Sequence, residues 1–181
     1  MDRRPVGVFD SGVGGLTVFK ELEANLPHES LLYLGDTARV PYGTRSPDTV
    51  VRYSVEAAHF FRSHDVKMVV VACNTASSVA LPDLEREAGV PVLGVIEPGA
   101  AQAVSRTRSG RIGVIGTRAT VRSSAYTRAI HDLNPDLDVL AQPCPLFVPL
   151  AEEGWTGNQV ARETAEIYLH PLLDAGVDTL V

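Results

Sequence analysis

The chain has 181 residues, of which 45% are hydrophobic and 21% are charged, the composition of an ordinary soluble globular protein. Its formal net charge of -6 argues against nucleic acid or an anionic membrane as the main partner, because an acidic surface attracts neither. The sequence contains no apolar signal segment and no stretch long enough to cross a bilayer. We therefore expect a cytoplasmic protein whose partner is a small molecule, with no metal site, since its two cysteines and five histidines lack metal-type spacing.

The first half of the chain alternates predicted strands with predicted helices. Short apolar runs predict strands at residues 6–9, 31–34, 68–71 and 92–95, and apolar residues at helical spacing follow them. Ser46 before Pro47 is typical of a helix N-cap and first helical position. The buried face of that helix is predicted at Val51, Val55, Ala58 and Phe61. Four strand–helix units in a row predict a parallel sheet with right-handed crossovers.

The strand predicted at Met68–Val71 carries the most suggestive residue at its end. It is apolar and β-branched without alternation, which predicts burial on both faces. Cys73 follows, and Asn74 and Thr75 come directly after it. Ligands in open α/β folds bind beyond the carboxyl ends of the strands, which places Cys73 where chemistry usually occurs. The alternative is a buried thiol that only fills space.

The pattern of the first half begins again in the second half. Residues 6–9 followed by Asp-Ser match residues 112–115 followed by Gly-Thr. Because 62 residues separate Val6 from Met68 and 66 separate Ile112 from Asp178, residues 178–181 are predicted to begin a second buried strand. The sequence thus predicts α/β architecture with two doubly wound parallel-sheet domains related by pseudo-symmetry, at residues 1–96 and 97–181. The second domain is expected to be incomplete at its C-terminus.

Small polar residues follow the predicted strands, at residues 10–11, 36–37, 73–75 and 117–120. Such clusters at one edge of two sheets predict a cleft between the two halves. The loop of residues 12–15 lacks the third glycine of a dinucleotide fingerprint and the Gly-Lys-Ser/Thr of a P-loop, so a nucleotide site is not expected. Its backbone N–H groups suit a carboxylate as well as a phosphate, although a plain strand-to-helix turn is the alternative.

A thiol at a strand end can act as a nucleophile or as a base. Its pKa must usually be lowered to supply thiolate at neutral pH, and no histidine lies near Cys73 in the sequence. Asp10 could accept the thiol proton or hold a substrate ammonium group. Asn74 and Thr75 could donate hydrogen bonds to a carboxylate.

Five motifs carry a family resemblance: Asp-Ser-Gly-Val-Gly-Gly-Leu-Thr at 10–17, Tyr-Leu-Gly-Asp at 33–36, Val-Pro-Tyr-Gly at 40–43, Ala-Cys-Asn-Thr-Ala-Ser at 72–77 and Gly-Val-Ile-Gly-Thr at 113–117. Together they resemble the glutamate racemases over essentially the whole chain. The resemblance implies a cofactor-independent enzyme that interconverts L- and D-glutamate and supplies D-glutamate for peptidoglycan. It also implies two α/β domains with the active site between them.

The resemblance further implies roles for individual residues. In that family two cysteines act on opposite faces of the substrate: one thiolate removes the α-proton and the other thiol returns a proton. Cys73 matches the first cysteine, with D-glutamate as the suggested substrate enantiomer and Asp10 as a second catalytic residue. The motif matches assign substrate binding to Asp10, Ser11, Tyr42, Gly43, Asn74, Thr75, Thr117 and Thr120. Asp36 and Glu152 match acidic positions with supporting roles, although Glu152 could equally be a solvated helix end.

The second cysteine of that family lies in a Gly-Cys-Thr-His-Tyr-Pro motif soon after a strand like residues 178–181. The internal repeat places the missing catalytic loop at the same point, so the chain is expected to lack this cysteine. Cys144, which follows a strand predicted at 138–141, is the remaining candidate, and a packed, inert thiol is the alternative. A non-catalytic amino-acid-binding fragment and a related enzyme, such as an aspartate racemase or a one-cysteine decarboxylase, stay open. A homodimer also stays open.

Overall fold

The computed structural model describes residues 2–181 and shows an α/β protein with two parallel sheets, which confirms the predicted fold class. The chain forms two compact units, one ending at Val95 and the other spanning Ile96–Val181. The elements of the first unit are β1 Val6–Asp10, α1 Leu16–Asn25, β2 Leu31–Gly35, a 3₁₀ turn at Tyr42–Thr44, α2 Pro47–Ser63, β3 Met68–Val71, α3 Asn74–Val79, α4 Leu81–Ala88 and β4 Val92–Gly94. Those of the second unit are α5 Ile96–Arg106, β5 Arg111–Gly116, α6 Arg118–Ser123, α7 Ala125–Leu133, β6 Asp138–Pro143, α8 Phe147–Glu152, α9 Gln159–Asp174 and β7 Thr179–Leu180.

The sheet of the first unit has the strand order β2-β1-β3-β4, and all neighbouring strands are parallel. Val6 of β1 lies opposite both Leu31 of β2 and Met68 of β3. Because this register aligns the starts of the strands, their carboxyl ends also meet at one edge. Asp10, Asp36 and Cys73 therefore follow three adjacent strands at the same edge.

Helix α2 begins as predicted, but its buried face is rotated. Ser46 Oγ accepts a hydrogen bond from the Thr49 N–H at 3.3 Å, which confirms the N-cap. The buried residues are Val50, Ser54, Ala57, Ala58 and Phe61, and Val51 packs partly buried against the same core, so the prediction was wrong only for Val55. The helix packs on α4 as well as on the sheet, where Phe61 covers Gly7, and this double contact sets its rotation.

Strand β3 is buried on alternate residues rather than on both faces. Val69 and Val71 are fully buried in the core with Phe61 and Leu84, whereas Met68 and Val70 keep partial exposure. The expectation of two buried faces was wrong because the helices cover the sheet unequally. Helices α2 and α4 contribute buried residues to this core, while every residue of α1, all of them described, keeps some exposure.

The sheet of the second unit has the order β6-β5-β7, which repeats the β2-β1-β3 arrangement of the first. The strand predicted at 178–181 is present as β7, and Thr179 lies opposite Ile112, one residue later than the spacing indicated. The expected burial was wrong for Leu180, which is 46% exposed, because β7 lies at an edge of this sheet. Helix α5 starts at Ile96 and contains Pro98, since proline is tolerated in a first helical turn.

Two backbone hydrogen bonds show how closely the repeat is kept. The Asp36 N–H donates to Asp10 O at 3.0 Å in the first unit, and the Cys144 N–H donates to Gly116 O at 2.8 Å in the second. Asp36 and Cys144 are therefore equivalent in the repeat. Within residues 2–181, every helix is too short or too polar to span a lipid bilayer.

Candidate active site

The carboxylate of Asp10 organises the loop that follows β1. Asp10 is buried, and its Oδ2 accepts hydrogen bonds from the N–H groups of Gly15 at 2.9 Å and Gly12 at 3.2 Å. The Tyr33 hydroxyl donates to Gly12 O at 2.9 Å and lies 3.4 Å from the same Asp10 oxygen. The carboxylate thus folds the glycine loop around itself and occupies two of the backbone N–H groups that the sequence had suggested for binding a substrate anion.

Close packing explains why the loop needs glycine at position 15. A Cβ on Gly15 would lie 2.6 Å from Asp10 Cβ and 3.0 Å from Ala72 Cβ, closer than real Cβ atoms approach. At Gly14, in contrast, the nearest atom to a Cβ would be Asp10 Oδ2 at 3.9 Å. Of these two glycines, Gly15 is the one that is pressed against the ends of β1 and β3.

Cys73 lies at the end of β3, and its sulfur takes part in hydrogen bonds from two directions. The residue is 4% exposed and is the N-cap of α3. Its Sγ accepts a hydrogen bond from the Ala76 N–H at 3.4 Å, and the thiol donates to Ser11 Oγ at 3.3 Å. These contacts hold the thiol between the glycine loop and the first turn of α3.

The environment of Cys73 favours the thiol over the thiolate. Burial raises the pKa of the Cys73 thiol above its ordinary value, and the nearby Asp10 carboxylate raises it further. Hydrogen bonds from Ser11 and Ala76 act in the opposite direction but are weaker causes. A thiolate at neutral pH usually requires a lowered pKa. Because the pKa of Cys73 is raised instead, the free protein holds this thiol protonated at neutral pH.

A second polar cluster lies where β2 ends. Asp36 Oδ2 accepts hydrogen bonds from the Tyr42 hydroxyl at 2.5 Å and from Arg39 Nε at 2.6 Å, and Arg39 also forms an ion pair with Glu56 of α2. Tyr42 and Gly43 are both buried in their 3₁₀ turn, which contacts α3. Burial, followed by the Asp36 carboxylate, raises the pKa of the Tyr42 hydroxyl, so it remains a donor. The turn therefore lies beside the helix that follows Cys73.

The first unit brings together most of the sequence-predicted site residues. Asp10, Ser11 and Cys73 are in one cluster, and Asn74 and Thr75 form the first turn of α3, with Asn74 exposed and Thr75 buried. Within the described residues 2–181, no group of three His, Cys, Asp or Glu side chains could hold a metal ion.

The second unit holds the other predicted residues. Thr117 is the N-cap of α6: its Oγ1 accepts from the Thr120 N–H at 3.1 Å and lies 3.0 Å from the buried Thr120 Oγ1. Glu152 is the last residue of α8 and is exposed. Cys144 is buried, its Sγ lies 3.5 Å from Gln142 O, and burial raises the pKa of its thiol. The threonines thus form a pair at the end of β5, equivalent to the end of β1.

Sequence reasoning missed three residues that support these clusters: Tyr33, Arg39 and Glu56. The spacing of Asp36 and Arg39 by three residues is a readable ion-pair signal. Glu56 lies 17 residues further along, on a different element, and no local pattern connects it to Arg39. Tyr33 belongs to the Tyr-Leu-Gly-Asp motif, but its place in a short apolar strand gives no signal of its contact with the loop after β1.

Comparison with known proteins finds one family over most of the chain. The family model of Asp/Glu/hydantoin racemases matches residues 12–181. The glutamate racemase of Geobacter metallireducens is 61% identical over 181 residues, which is all of this chain and 67% of that protein. The glutamate racemase of a Sulfurihydrogenibium species is 52% identical over 98% of this chain and 68% of that protein.

A solved structure shows the same similarity in three dimensions. The crystal structure of glutamate racemase from Francisella tularensis, in complex with D-glutamate, superposes with a TM-score of 0.93 at 40% sequence identity. The match covers 99% of this chain and 68% of that chain. The chain thus spans about two thirds of the length of each of these relatives.

Proposed function

The chain belongs to the Asp/Glu/hydantoin racemase family, a family of isomerases, and on this premise we propose that it acts on glutamate and exchanges the α-proton at Cys73. The observation that carries the proposal is the position of the Cys73 thiol, buried at the end of β3, hydrogen-bonded to Ser11 and next to Asp10. The names of the relatives support glutamate, and the Francisella tularensis structure contains D-glutamate. By the resemblance, the reaction uses no cofactor and supplies D-glutamate for peptidoglycan in the cytoplasm.

Substrate binding follows from the polar groups around the thiol. The ammonium group of glutamate lies against Asp10 and Ser11, because Asp10 supplies a carboxylate and Ser11 a hydroxyl beside the Cys73 thiol. Asn74 and Thr75 donate hydrogen bonds to the α-carboxylate. Tyr42 and Gly43 bind from the 3₁₀ turn, and Thr117 and Thr120 remain candidates for further substrate hydrogen bonds on the resemblance.

Binding of the substrate ammonium group also explains how the protonated thiol can become a thiolate. Asp10 raises the pKa of Cys73 by its negative charge. A bound ammonium group offsets that charge, and the pKa of the thiol falls when substrate arrives. The thiol releases its proton to solvent as its pKa falls, and the thiolate then takes the α-proton: a new S–H bond forms while the electron pair of the Cα–H bond stays on the substrate carbon. Hydrogen bonds to the α-carboxylate stabilise the resulting carbanion.

Racemisation needs a proton donor on the opposite face of the carbanion. Cys144 is the other cysteine of the 181 residues, and burial raises the pKa of its thiol, so it is protonated and able to donate. Its equivalence to Asp36 in the repeat, rather than to Cys73, argues against that role. We therefore expect Cys73 to carry exchange at one face, and the stereochemistry of exchange identifies any second donor.

The experiment that tests the proposal follows deuterium incorporation into D- and L-glutamate in D2O by NMR, with optical rotation of the same sample. Entry of deuterium with inversion means that a second acid lies within these 181 residues. Entry of deuterium into one enantiomer with retention of configuration means that Cys73 alone exchanges the α-proton. If neither enantiomer of glutamate exchanges, the proposal is wrong, and exchange of D- or L-aspartate instead would identify an aspartate racemase. Binding of glutamate without exchange would identify a non-catalytic binding protein.

A further inference from the structure

We propose that Arg39 is a positioning residue, which holds the Tyr42 side chain and the adjoining Gly43 backbone in place for substrate binding by acting through Asp36. The inference rests on the proposed function, in which the 3₁₀ turn of Tyr42 and Gly43 contacts glutamate. Sequence matching assigned a supporting role to Asp36 but none to Arg39 or to Glu56. The new element is a chain of contacts from the surface of α2 to the turn.

The first step of this chain is a single oxygen atom with two donors. Asp36 Oδ2 accepts from Tyr42 Oη at 2.5 Å and from Arg39 Nε at 2.6 Å. The Asp36 side chain is only 10% exposed, so water cannot replace a lost donor at low energetic cost. The guanidinium group therefore holds the Asp36 carboxylate aimed at the Tyr42 hydroxyl.

The second step fixes the guanidinium group itself. Arg39 Nη1 pairs with Glu56 of α2, and the guanidinium carbon lies 4.1 Å from the centre of the Tyr53 ring. The Tyr53 ring in turn packs on the Tyr42 ring, with 5.6 Å between the ring centres. Because arginine is planar, it can stack on a ring and use its donors in two directions at once, which lysine cannot do. Arg39 is thus connected to Tyr42 indirectly by two routes, one through Asp36 and one through Tyr53.

The third step connects the cluster to the site. The Asp36 N–H donates to Asp10 O at 3.0 Å, and the 3₁₀ turn contacts α3, the helix that begins next to Cys73. Arg39 is one third exposed and belongs to the cluster around Asp36, whereas the thiol belongs to the separate cluster of Cys73 and Ser11. Loss of Arg39 should therefore disturb how the turn meets the substrate and leave the proton transfer at Cys73 nearly unchanged. A change in KM without a change in kcat distinguishes a positioning role from a purely structural one.

The test measures KM and kcat for α-proton exchange of D-glutamate in D2O, together with the ¹³Cζ signal of Tyr42 in protein labelled at tyrosine. The variants are Arg39→Met, Arg39→Lys and Glu56→Gln. Arg52→Met is the matched control, because Arg52 faces the same Tyr53 ring at 5.2 Å and, among the described contacts, is not hydrogen-bonded to Asp36.

We expect Arg39→Met to raise KM about tenfold, while kcat changes by about twofold or less, and to shift the Tyr42 signal. Arg39→Lys restores the charge without the planar fork and should give an intermediate KM. Glu56→Gln should raise KM by about twofold to threefold, since an exposed ion pair contributes little, and it remains informative if Arg39→Met fails to fold. Arg52→Met should match the unchanged protein in all three measurements.

Three results overturn the inference while the proposed function stands. The first is an unchanged KM and an unshifted Tyr42 signal in Arg39→Met, and the second is an equal effect of Arg52→Met. A fall in kcat at constant KM would also contradict it, because the effect would then lie in the proton transfer. If the unchanged protein itself exchanges no α-proton of glutamate, the proposed function fails and the inference falls with it.

Discussion

The Cys73 thiol donates a hydrogen bond to the Ser11 hydroxyl across 3.3 Å, joining the segment after β3 to the loop after β1. Both residues lie where parallel strands end, and both are adjacent in sequence to groups that the proposed reaction needs, Asp10 and Asn74. The contact means that the thiol is oriented before any substrate arrives. The same environment keeps it protonated, since burial and the charge of Asp10 raise its pKa.

Replacement of Asp10 by Asn should make Cys73 more acidic. The Asn side chain keeps an oxygen that can accept the Gly15 N–H but carries no charge, so the thiolate loses a repulsive neighbour. The pKa of Cys73 should fall, and thiolate should form at correspondingly lower pH. Thiolate absorbance near 240 nm against pH, in a Cys144→Ala background, measures this. Asp36→Asn is the control and should shift the curve less, and an unchanged or higher midpoint in Asp10→Asn would contradict the assignment.

Gly15→Ala should disrupt the site, whereas Gly14→Ala should be tolerated. The new methyl group at position 15 would lie 2.6 Å from Asp10 Cβ, so the loop or the carboxylate must move. We expect α-proton exchange to fall at least about tenfold in Gly15→Ala and to change little in Gly14→Ala, which has 3.9 Å of clearance. Exchange rates and thermal unfolding of the two variants give the comparison. Equal activity in both would show that the loop does not depend on this close approach.

Two buried serines should respond to alanine in opposite directions. Ser54 Oγ lies inside α2 without a hydrogen-bond partner among the described residues, so Ser54→Ala should raise the free energy of unfolding by about 1 kcal/mol. Ser77 Oγ donates to Val71 O at 2.8 Å and accepts from the Val95 N–H at 3.3 Å. Ser77→Ala should therefore lower the free energy of unfolding by about 1 to 3 kcal/mol. Urea unfolding followed by circular dichroism distinguishes the two, and a destabilised Ser54→Ala would indicate a hidden partner.

Asp178 should make the stability of the second unit depend on pH. Its carboxylate accepts hydrogen bonds from the Thr107 hydroxyl and from the N–H groups of Arg108 and Ser109, which hold its pKa well below the ordinary 3.8. Because the folded-state pKa is depressed, this stabilisation is complete above the unfolded-state value and is lost as the pH falls below it.

Asp178→Asn should therefore lower the unfolding midpoint at pH 7, and the gap to the unchanged protein should close at low pH. Thermal unfolding measured between pH 7 and pH 2 tests this. Asp138→Asn is the control, because Asp138 is exposed and lies 3.7 Å from Arg111. A gap that stays constant with pH would show that the charge of Asp178 is not the cause.

Much of the fold could be predicted because parallel strands and their turns obey local rules. The positions of Asp10 and Cys73 at one sheet edge follow from strand ends alone, and the repeat located β7 to within one residue. The Asp36–Arg39–Glu56 cluster could not be predicted in full, since it joins a loop to a helix 17 residues away. The raised pKa of Cys73 depends on burial and on the exact distance to Asp10, neither of which a sequence specifies.

The wrong predictions of which strand and helix residues are buried have a similar origin. Val70 keeps partial exposure because the helices cover the two faces of its sheet unequally, and Leu180 is exposed because β7 lies at a sheet edge. Both are properties of the whole unit rather than of the strand. The rotation of α2 likewise follows from its contact with α4. Local pattern therefore predicted where elements lie better than which of their faces is buried.

The central claim is that Cys73 is the group that exchanges the α-proton of glutamate. The most direct test is deuterium incorporation into D-glutamate by the unchanged chain, by Cys73→Ala and by Cys144→Ala, with circular dichroism to confirm folding. We expect Cys73→Ala to fold with a loss of about 1 to 2 kcal/mol and to show no exchange above the uncatalysed rate, because it removes one buried sulfur atom. Cys144→Ala should retain exchange at Cys73. Exchange that persists in folded Cys73→Ala would contradict the account.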